Sequence, residues 1–239
     1  DNYQLNPMER PRKKLSFLQA NLKIKNVTEK FTFVTNNLWY FIKATPSYNN
    51  TTDKKPRFPR SPNDAEREDK DLVEIDVVNL RPKNAAGGVV FTLFASQRDG
   101  ILPHVTNYGL IHDYSFGIGG NNTTWFLDIY PDVKSTRTQL RSKLDTDPMF
   151  ARAMELTAEL CQYYIINPDL EEQYRPTPAQ LYESLKAKGY DWERILTNTR
   201  SHWTFNHYDN PVRPITALDL VNMHAGIYHP WWWDKDAKK

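Results

Sequence analysis

The spacing of apolar residues changes near Pro131, and this change limits the folds open to the chain more than any other feature of its sequence. Between Leu15 and Pro131 apolar residues tend to alternate with polar ones, whereas after Pro131 they recur with helical spacing. Strands and helices that occupy separate parts of a sequence are typical of α+β proteins. We therefore expect an N-terminal antiparallel β-sheet or sandwich of about six or seven strands, followed by a cap of about three or four short helices.

Short segments rich in aromatic and β-branched residues mark the predicted strands. The pair Asn36–Asn37 suits a tight turn between two of them, and Gly87–Gly88 and Gly119–Gly120 lie beside others and permit turn conformations. Strands are predicted over 22–28, 31–35, 38–43, 72–78, 89–95, 108–112 and 124–130.

Capping signals indicate helices in the second half of the chain. Asp147 and Pro148 form a good N-cap and N1 pair. Thr177 to Gln180 has the pattern of a capping box, and Gly189 follows at the distance expected for the end of a short helix. Helices are predicted over 148–166, 178–188, 191–196 and 216–226.

A long segment over residues 44–71 separates two predicted strands. It contains four prolines and very few apolar residues. Such a composition buries too little surface to offset the entropy lost on ordering the chain. We therefore expect a surface excursion without regular structure, which acts either as a partner-binding arm or as a solvated linker.

These patterns divide the chain into three regions. Residues 1–14 are an N-terminal arm, residues 15–133 are β-rich and contain the Pro-rich insert at 44–71, and residues 134–239 are helical and end in a Trp-rich tail. A chain of 239 residues is long enough for one large domain. We expect the helical region to pack on the sheet as one compact unit.

Charge and composition exclude several classes of protein. The chain has 31 Lys and Arg residues against 29 Asp and Glu residues, a balance that does not favour a nucleic-acid partner. It contains no apolar run long enough for a transmembrane segment, so we expect a soluble protein. A single cysteine, Cys161, excludes an intramolecular disulfide and a multi-cysteine zinc site.

The first residue is Asp1 rather than methionine. This start favours a processed protein of an extracytoplasmic or organellar compartment, although a removed leader peptide leaves no residue to identify it.

Candidate catalytic residues are few. The sequence assigns no catalytic residue firmly. A histidine can activate a cysteine or a water molecule, and in the alternative interpretation, a hydrolase or toxin-like effector, the site is drawn from His104, His112 and Asp113, with or without Cys161. Cys161 also lies on the apolar stripe of its predicted helix, which favours a buried and unreactive thiol.

Metal and cofactor sites are not indicated. The histidine pairs 202 and 207, and 224 and 229, are five residues apart, a spacing that places the two rings on different faces of a helix. Signature motifs for nucleotide, dinucleotide and zinc-protease sites are absent from the sequence. We therefore expect neither a metal ion nor a cofactor.

Tryptophans dominate the C-terminal tail. Trp231, Trp232 and Trp233 are consecutive, with Tyr228 and Trp203 upstream. Side chains of adjacent residues in an extended segment point in opposite directions, so we expect at least one of the three indoles to face outward. Tryptophan is enriched at binding hot spots and also stacks on sugar rings.

The preferred interpretation is a non-enzymatic binding or assembly protein that contacts a protein partner through the Pro-rich arm and the Trp-rich tail. Two alternatives remain open: the hydrolase or effector with a His/Asp or Cys site, and a protein that binds carbohydrate or the cell envelope through exposed tryptophans.

Overall fold

The computed structural model describes residues 39–49, 52–67, 71–79, 90–121, 123–167, 169–197, 215–230 and 232–233. Several predictions fall on other residues: those for the arm at 1–14, the strands at 22–28 and 31–35, Trp203 and Trp231 lie outside the described residues.

The first sheet has four antiparallel strands in sequence order. They are β1 (Trp39–Pro46), β2 (Leu72–Asn79), β3 (Val90–Ser96) and the short β4 (Gly100–Ile101). The register between β1 and β2 shifts between Phe41 and Lys43, so the edge strand contains a bulge. The predicted strands at 38–43, 72–78 and 89–95 are therefore confirmed over their described residues, 39–43, 72–78 and 90–95.

The predicted strand at 108–112 is wrong, because these residues lie in helix α1 (Pro103–Asp113). Pro103 occupies the first helical positions, where its missing N–H is tolerated. Val105, Tyr108 and Ile111 are buried at helical spacing. A short apolar run with a β-branched and an aromatic residue resembles a strand. Here the segment is helical, because burial of Val105, Tyr108 and Ile111 on one side requires helical spacing.

The second sheet has three antiparallel strands, β5 (Ile118–Gly120), β6 (Trp125–Leu127) and β7 (Tyr130–Ser135). The predicted strand at 124–130 is thus divided between β6 and β7, with a turn at 128–129. The α+β class is confirmed. Within the described residues, however, the strands form two separate sheets of four and three strands rather than one N-terminal sheet of six or seven.

In the described residues five α-helices follow the second sheet: α2 (Leu140–Thr146), α3 (Pro148–Ile166), α4 (Pro178–Ala187), α5 (Trp192–Thr197) and α6 (Ala217–His224). The Asp147 side chain accepts a hydrogen bond from the amide of Phe150 and caps α3. The predicted capping box of α4 is present, and Gly189 has a φ of 82° just after that helix. The four predicted helices are confirmed, whereas α2 was not predicted.

A continuous hydrophobic core joins the sheets to the helices. It includes Leu72 and Phe94 from the first sheet, Leu127 from the second, and Phe150 and Met154 from α3. Helix α3 packs against α1, α2, α5 and α6 and is the central element of this core.

The Pro-rich insert packs against the sheet, contrary to expectation. Phe58 is fully buried, and its ring makes edge-to-face contacts with Phe94 at 5.3 Å and Tyr108 at 5.6 Å. A β-bridge between Tyr48 and Pro56 closes the loop that precedes it. One buried aromatic ring thus anchors the segment. The prolines also restrict the unfolded chain, so less conformational entropy is lost when the segment becomes ordered.

Candidate functional site

The two faces of the first sheet differ in their surroundings. Phe94 lies on the face that α1 covers, since a Cβ atom at Gly109 of that helix would lie 2.8 Å from the Phe94 ring. We call the opposite side the outer face. It carries Trp39 and Phe41 from β1, Ile75 and Val77 from β2, Phe91 and Leu93 from β3, and Ile101 from β4.

Strand register places these apolar residues side by side. Phe41, Val77 and Phe91 align across three strands, and Ile75 aligns with Leu93 in a neighbouring row. Directly paired residues of antiparallel strands point to the same face, so the outer face is apolar along these rows, with Val77 fully buried among its neighbours.

Three side chains of the outer face are more than half exposed: Trp39 at 53%, Phe41 at 58% and Ile101 at 58%. The indole of Trp39 also makes an edge-to-face contact with Phe91, with ring centroids 5.8 Å apart. Trp39 and Phe41 lie on one edge strand of the sheet and Ile101 lies on the other. Exposed apolar side chains of this size are typical of interaction surfaces.

The outer face carries a signal that the sequence analysis did not use. Val73, Ile75 and Val77 alternate with Glu74 and Asp76 along β2, and this alternation was consistent with the apolar side facing the core. In the structure the carboxylates lie on the same side as Phe94, because Glu74 pairs with Phe94 across β2 and β3. Alternation therefore identified the strand but not which of its faces is covered.

The two carboxylates of β2 are occupied by structural partners. Glu74 accepts hydrogen bonds from Ser47 Oγ at 2.5 Å and from Arg57 Nη1 at 3.1 Å. Asp76 accepts one from Thr92 Oγ1 at 2.8 Å and lies 3.7 Å from the Lys43 ammonium. These contacts fasten the Pro-rich insert and β1 to β2 and account for both acidic side chains without a catalytic role.

The four candidate catalytic residues do not converge. His104 lies at the N-terminal end of α1, whereas His112 and Asp113 lie at its C-terminal end and are exposed. Eight residues of helix separate the two histidines by about 12 Å. Cys161 belongs to a different helix, α3, and is buried in the core.

The environment of Cys161 opposes a nucleophilic role. The residue is 2% exposed, and burial raises the pKa of its thiol to about 11. The thiolate is the reactive form, and it is scarce at neutral pH when the pKa is that high. Cys161 is a small hydrophobic residue of the core.

We therefore expect Cys161 to be chemically inert in the folded protein. A thiol reagent at neutral pH should label it at least about a hundredfold more slowly than it labels the urea-unfolded chain. The variant Cys161→Ala should retain the fold and lose about 1–2 kcal/mol of unfolding free energy. Rapid stoichiometric labelling of the folded protein would restore the nucleophile hypothesis.

The described tryptophans of the tail contact their own chain. Trp233 is half-buried and stacks on His229, with centroids 4.3 Å apart, and on Tyr190 at 4.8 Å. Tyr190 also forms a hydrogen bond with the His229 ring. The Trp232 indole lies under the Arg194 guanidinium at 4.8 Å.

This packing differs from the extended tail that the sequence suggested. The amide of Trp233 donates to the carbonyl of Pro230 at 2.9 Å, which closes a turn. Since the segment is not extended there, Trp232 and Trp233 both pack against the hydrophobic core. Tyr228 packs against it as well.

The described part of the chain contains no group of three or more His, Cys, Asp or Glu side chains arranged to hold a metal ion. Among those same residues, no helix combines the length and apolar character needed to cross a membrane.

Comparison with known proteins gives no relative from which a function can be transferred. The chain matches no protein-family model, and neither a curated protein nor a solved structure is significantly similar to it. The physical character of its surfaces is therefore the basis for a functional proposal.

Proposed function

We propose that this chain is a non-enzymatic binding or assembly protein that makes protein–protein contacts through the outer face of its four-stranded sheet. The observation that carries the proposal is the exposure of Trp39, Phe41 and Ile101, each above one half, on an apolar face. Tryptophan and other large apolar side chains supply much of the binding energy at protein interfaces.

The sequence also indicated a binding protein, but it placed the contacts on the Pro-rich arm and the Trp-rich tail rather than on the sheet. The Pro-rich insert is anchored by Phe58, and the tail packs through Trp232 and Trp233. In its described residues neither segment is the extended arm on which the first interpretation depended. The outer face exposes three large apolar side chains on paired strands.

The hydrolase alternative receives less support. His104 and His112 are at opposite ends of one helix, and burial opposes ionisation of Cys161. Carbohydrate binding through the tail also receives less support, because the rings of Tyr190, His229 and Trp233 already stack on one another.

A second copy of the chain is the occupant that best suits the outer face. Two sheets pack face to face about 10 Å apart through interdigitating apolar side chains. The residues that define the face are uncharged, so an isologous contact places no like charges opposite one another. In such a dimer the apolar face of one copy packs against the same apolar face of the other.

Self-association through this face is tested with single charge insertions. Phe41→Glu and Ile101→Glu each place a carboxylate in the proposed interface, on the two opposite edge strands of the sheet, where burying it is costly. Ile227→Glu is the matched control, because Ile227 is 63% exposed and lies near the C-terminus rather than on the sheet.

Sedimentation velocity across about 1 to 100 µM protein should show a concentration-dependent dimer for the wild type and for Ile227→Glu. The two sheet variants should weaken dimerisation at least about tenfold while keeping the wild-type circular dichroism spectrum. A wild-type protein that stays monomeric over the whole range, or sheet variants that dimerise normally, would overturn the proposal.

A further inference from the structure

A small cavity of about 280 Å³ lies at the N-terminal end of α1. Residues 102–105 line one side of it, and Arg60, Asp99 and Arg141 line the others. This site is separate from the outer face, and the inference drawn from it does not depend on the proposed function.

The first turn of α1 has backbone N–H groups without an acceptor inside the helix. Leu102 at the N-cap position provides no side-chain hydrogen bond, and Pro103 has no N–H. The amides of His104 and Val105 therefore lack intrahelical acceptors. The helix dipole adds partial positive charge at the same end, and α1 is eleven residues long.

Arg141 brings a buried positive charge to the cavity. The residue is 7% exposed, and its Nη2 donates to Asp99 Oδ2 at 3.3 Å. Its Nη1 is buried and has no hydrogen-bond partner among the residues that the structure describes. Burial first, and then the charge of Arg60, lowers the pKa of Arg141. A buried guanidinium with unused donors favours an additional anionic partner.

Arg60 is held beside this group by acidic and hydroxyl side chains. Its Nη2 lies 2.7 Å from Asp71 Oδ2, 2.8 Å from Asp99 Oδ2 and 3.2 Å from Ser96 Oγ. Asp99 thus bridges the two arginines, and its side chain is 42% exposed. Asp145 also lines the cavity, and its exposed carboxylate opposes an incoming anion.

His104 also lines the cavity, with its ring Nδ1 beside Glu155, a residue that does not line it. Its Nδ1 is buried without a hydrogen-bond partner in the described part of the chain, and Glu155 Oε1 lies 3.6 Å away. The cavity therefore combines unused nitrogen donors from a helix N-terminus with a buried guanidinium that has an unpartnered nitrogen.

We propose that this cavity binds a small oxyanion, a phosphate or carboxylate group, between the N-terminus of α1 and the guanidinium groups of Arg60 and Arg141. Helix N-termini and arginine guanidinium groups are both well suited to binding such groups. The volume is at the low end for ligand pockets, which suits a small anionic metabolite or one anionic end of a larger molecule. Asp99 acts as an internal competitor for the same donors.

The test uses the full chain and two probes, sodium phosphate and sodium acetate, titrated at constant ionic strength with sodium chloride. Isothermal titration calorimetry measures affinity, and NMR shifts of the His104 and Val105 amides report the location. Saturation by phosphate alone assigns a phosphate site, and saturation by both probes or by acetate alone assigns a site of correspondingly broader or different oxyanion selectivity. Saturable binding by neither probe overturns the proposal.

Three variants separate a binding site from a structural ion cluster. Arg141→Gln should weaken binding at least about tenfold, and Arg60→Gln, at the more exposed of the two arginines, should weaken it in the same direction. Asp99→Asn should tighten binding several-fold, because it removes the competing carboxylate. Arg67→Gln is the control, since Arg67 is an exposed arginine that does not line the cavity.

Anion binding predicts weaker affinity in the two arginine variants and tighter affinity in Asp99→Asn. A cluster with a purely structural role would lose stability in the Arg60, Arg141 and Asp99 variants alike, and none would change anion affinity specifically. Unchanged affinity in a folded Arg60→Gln protein, or weaker binding in a folded Asp99→Asn protein, contradicts the proposal even if Arg141→Gln does not fold.

Discussion

Replacing Phe58 with alanine should lower the free energy of unfolding by about 3–5 kcal/mol, the range typical of a phenylalanine removed from a packed core. Phe58 is fully buried between Phe94 and Tyr108, although it lies in the most proline-rich and polar part of the chain. The loss combines the transfer energy of the ring with the cavity left beneath the insert. Urea denaturation followed by circular dichroism measures it.

The matched control is Tyr114→Ala, because Tyr114 is an aromatic residue that is 51% exposed. This substitution should change the unfolding free energy by less than about 1 kcal/mol. Replacing residues 48–68 with a short Gly/Ser linker should destabilise the core at least as much as Phe58→Ala. A loss below about 1 kcal/mol in Phe58→Ala would instead support the solvated arm expected from composition.

Replacing Arg152 with methionine should lower the unfolding free energy by about 2–3 kcal/mol. Arg152 is 5% exposed, and its Nη2 donates to the carbonyl of Ile215 at 2.6 Å. Its Nη1 lies 2.8 Å from Glu155 and 3.6 Å from Glu159. Methionine preserves much of the packing, so the loss reports the hydrogen bonds and the carboxylates left without their partner.

Arg67→Met serves as the control for this experiment, because Arg67 is exposed and pairs with Asp64 at 3.4 Å on the surface. It should change stability by less than about 1 kcal/mol, as is usual for surface ion pairs. Equal effects of the two substitutions in urea denaturation would show that Arg152 does not tie α3 to the start of α6.

The helices that the sequence predicted well are those whose ends are set by neighbouring residues. Asp147 caps α3, and the Thr177 and Gln180 pair caps α4 through contacts within one turn. Thr216 and Asp219 form a similar box at the start of α6. Such interactions involve residues within four positions, so they are readable without knowledge of the rest of the fold.

The errors fall where local preference is ambiguous. Residues 108–112 include β-branched and aromatic side chains and also lie on a helical stripe with Val105. The helix formed because Val105, Tyr108 and Ile111 share one buried face. Periodicity over so few residues does not distinguish these structures, and the packing partner decides between them.

Whether the Pro-rich insert and the Trp-rich tail are exposed depends on residues far away in the sequence. Composition predicted an exposed Pro-rich arm, yet Phe94 and Tyr108 provide a site for Phe58. The tail was expected to be extended, yet Tyr190 and Arg194 receive Trp233 and Trp232. In both segments aromatic rings pack against residues that are distant in the sequence, so the sequence alone did not predict these contacts.

The sequence by itself determined the α+β class, the strand at 72–78 and the capped helices, because each depends on periodicity or on contacts within a few residues. The tertiary structure alone decided which face of the first sheet α1 packs against, and it brought Arg60 to Arg141 at the start of α1. Alternation gives two chemically different faces but does not say which one another element will bury. Groups 81 positions apart meet only after the chain has folded, so the outer face and the oxyanion cavity are properties of the tertiary structure.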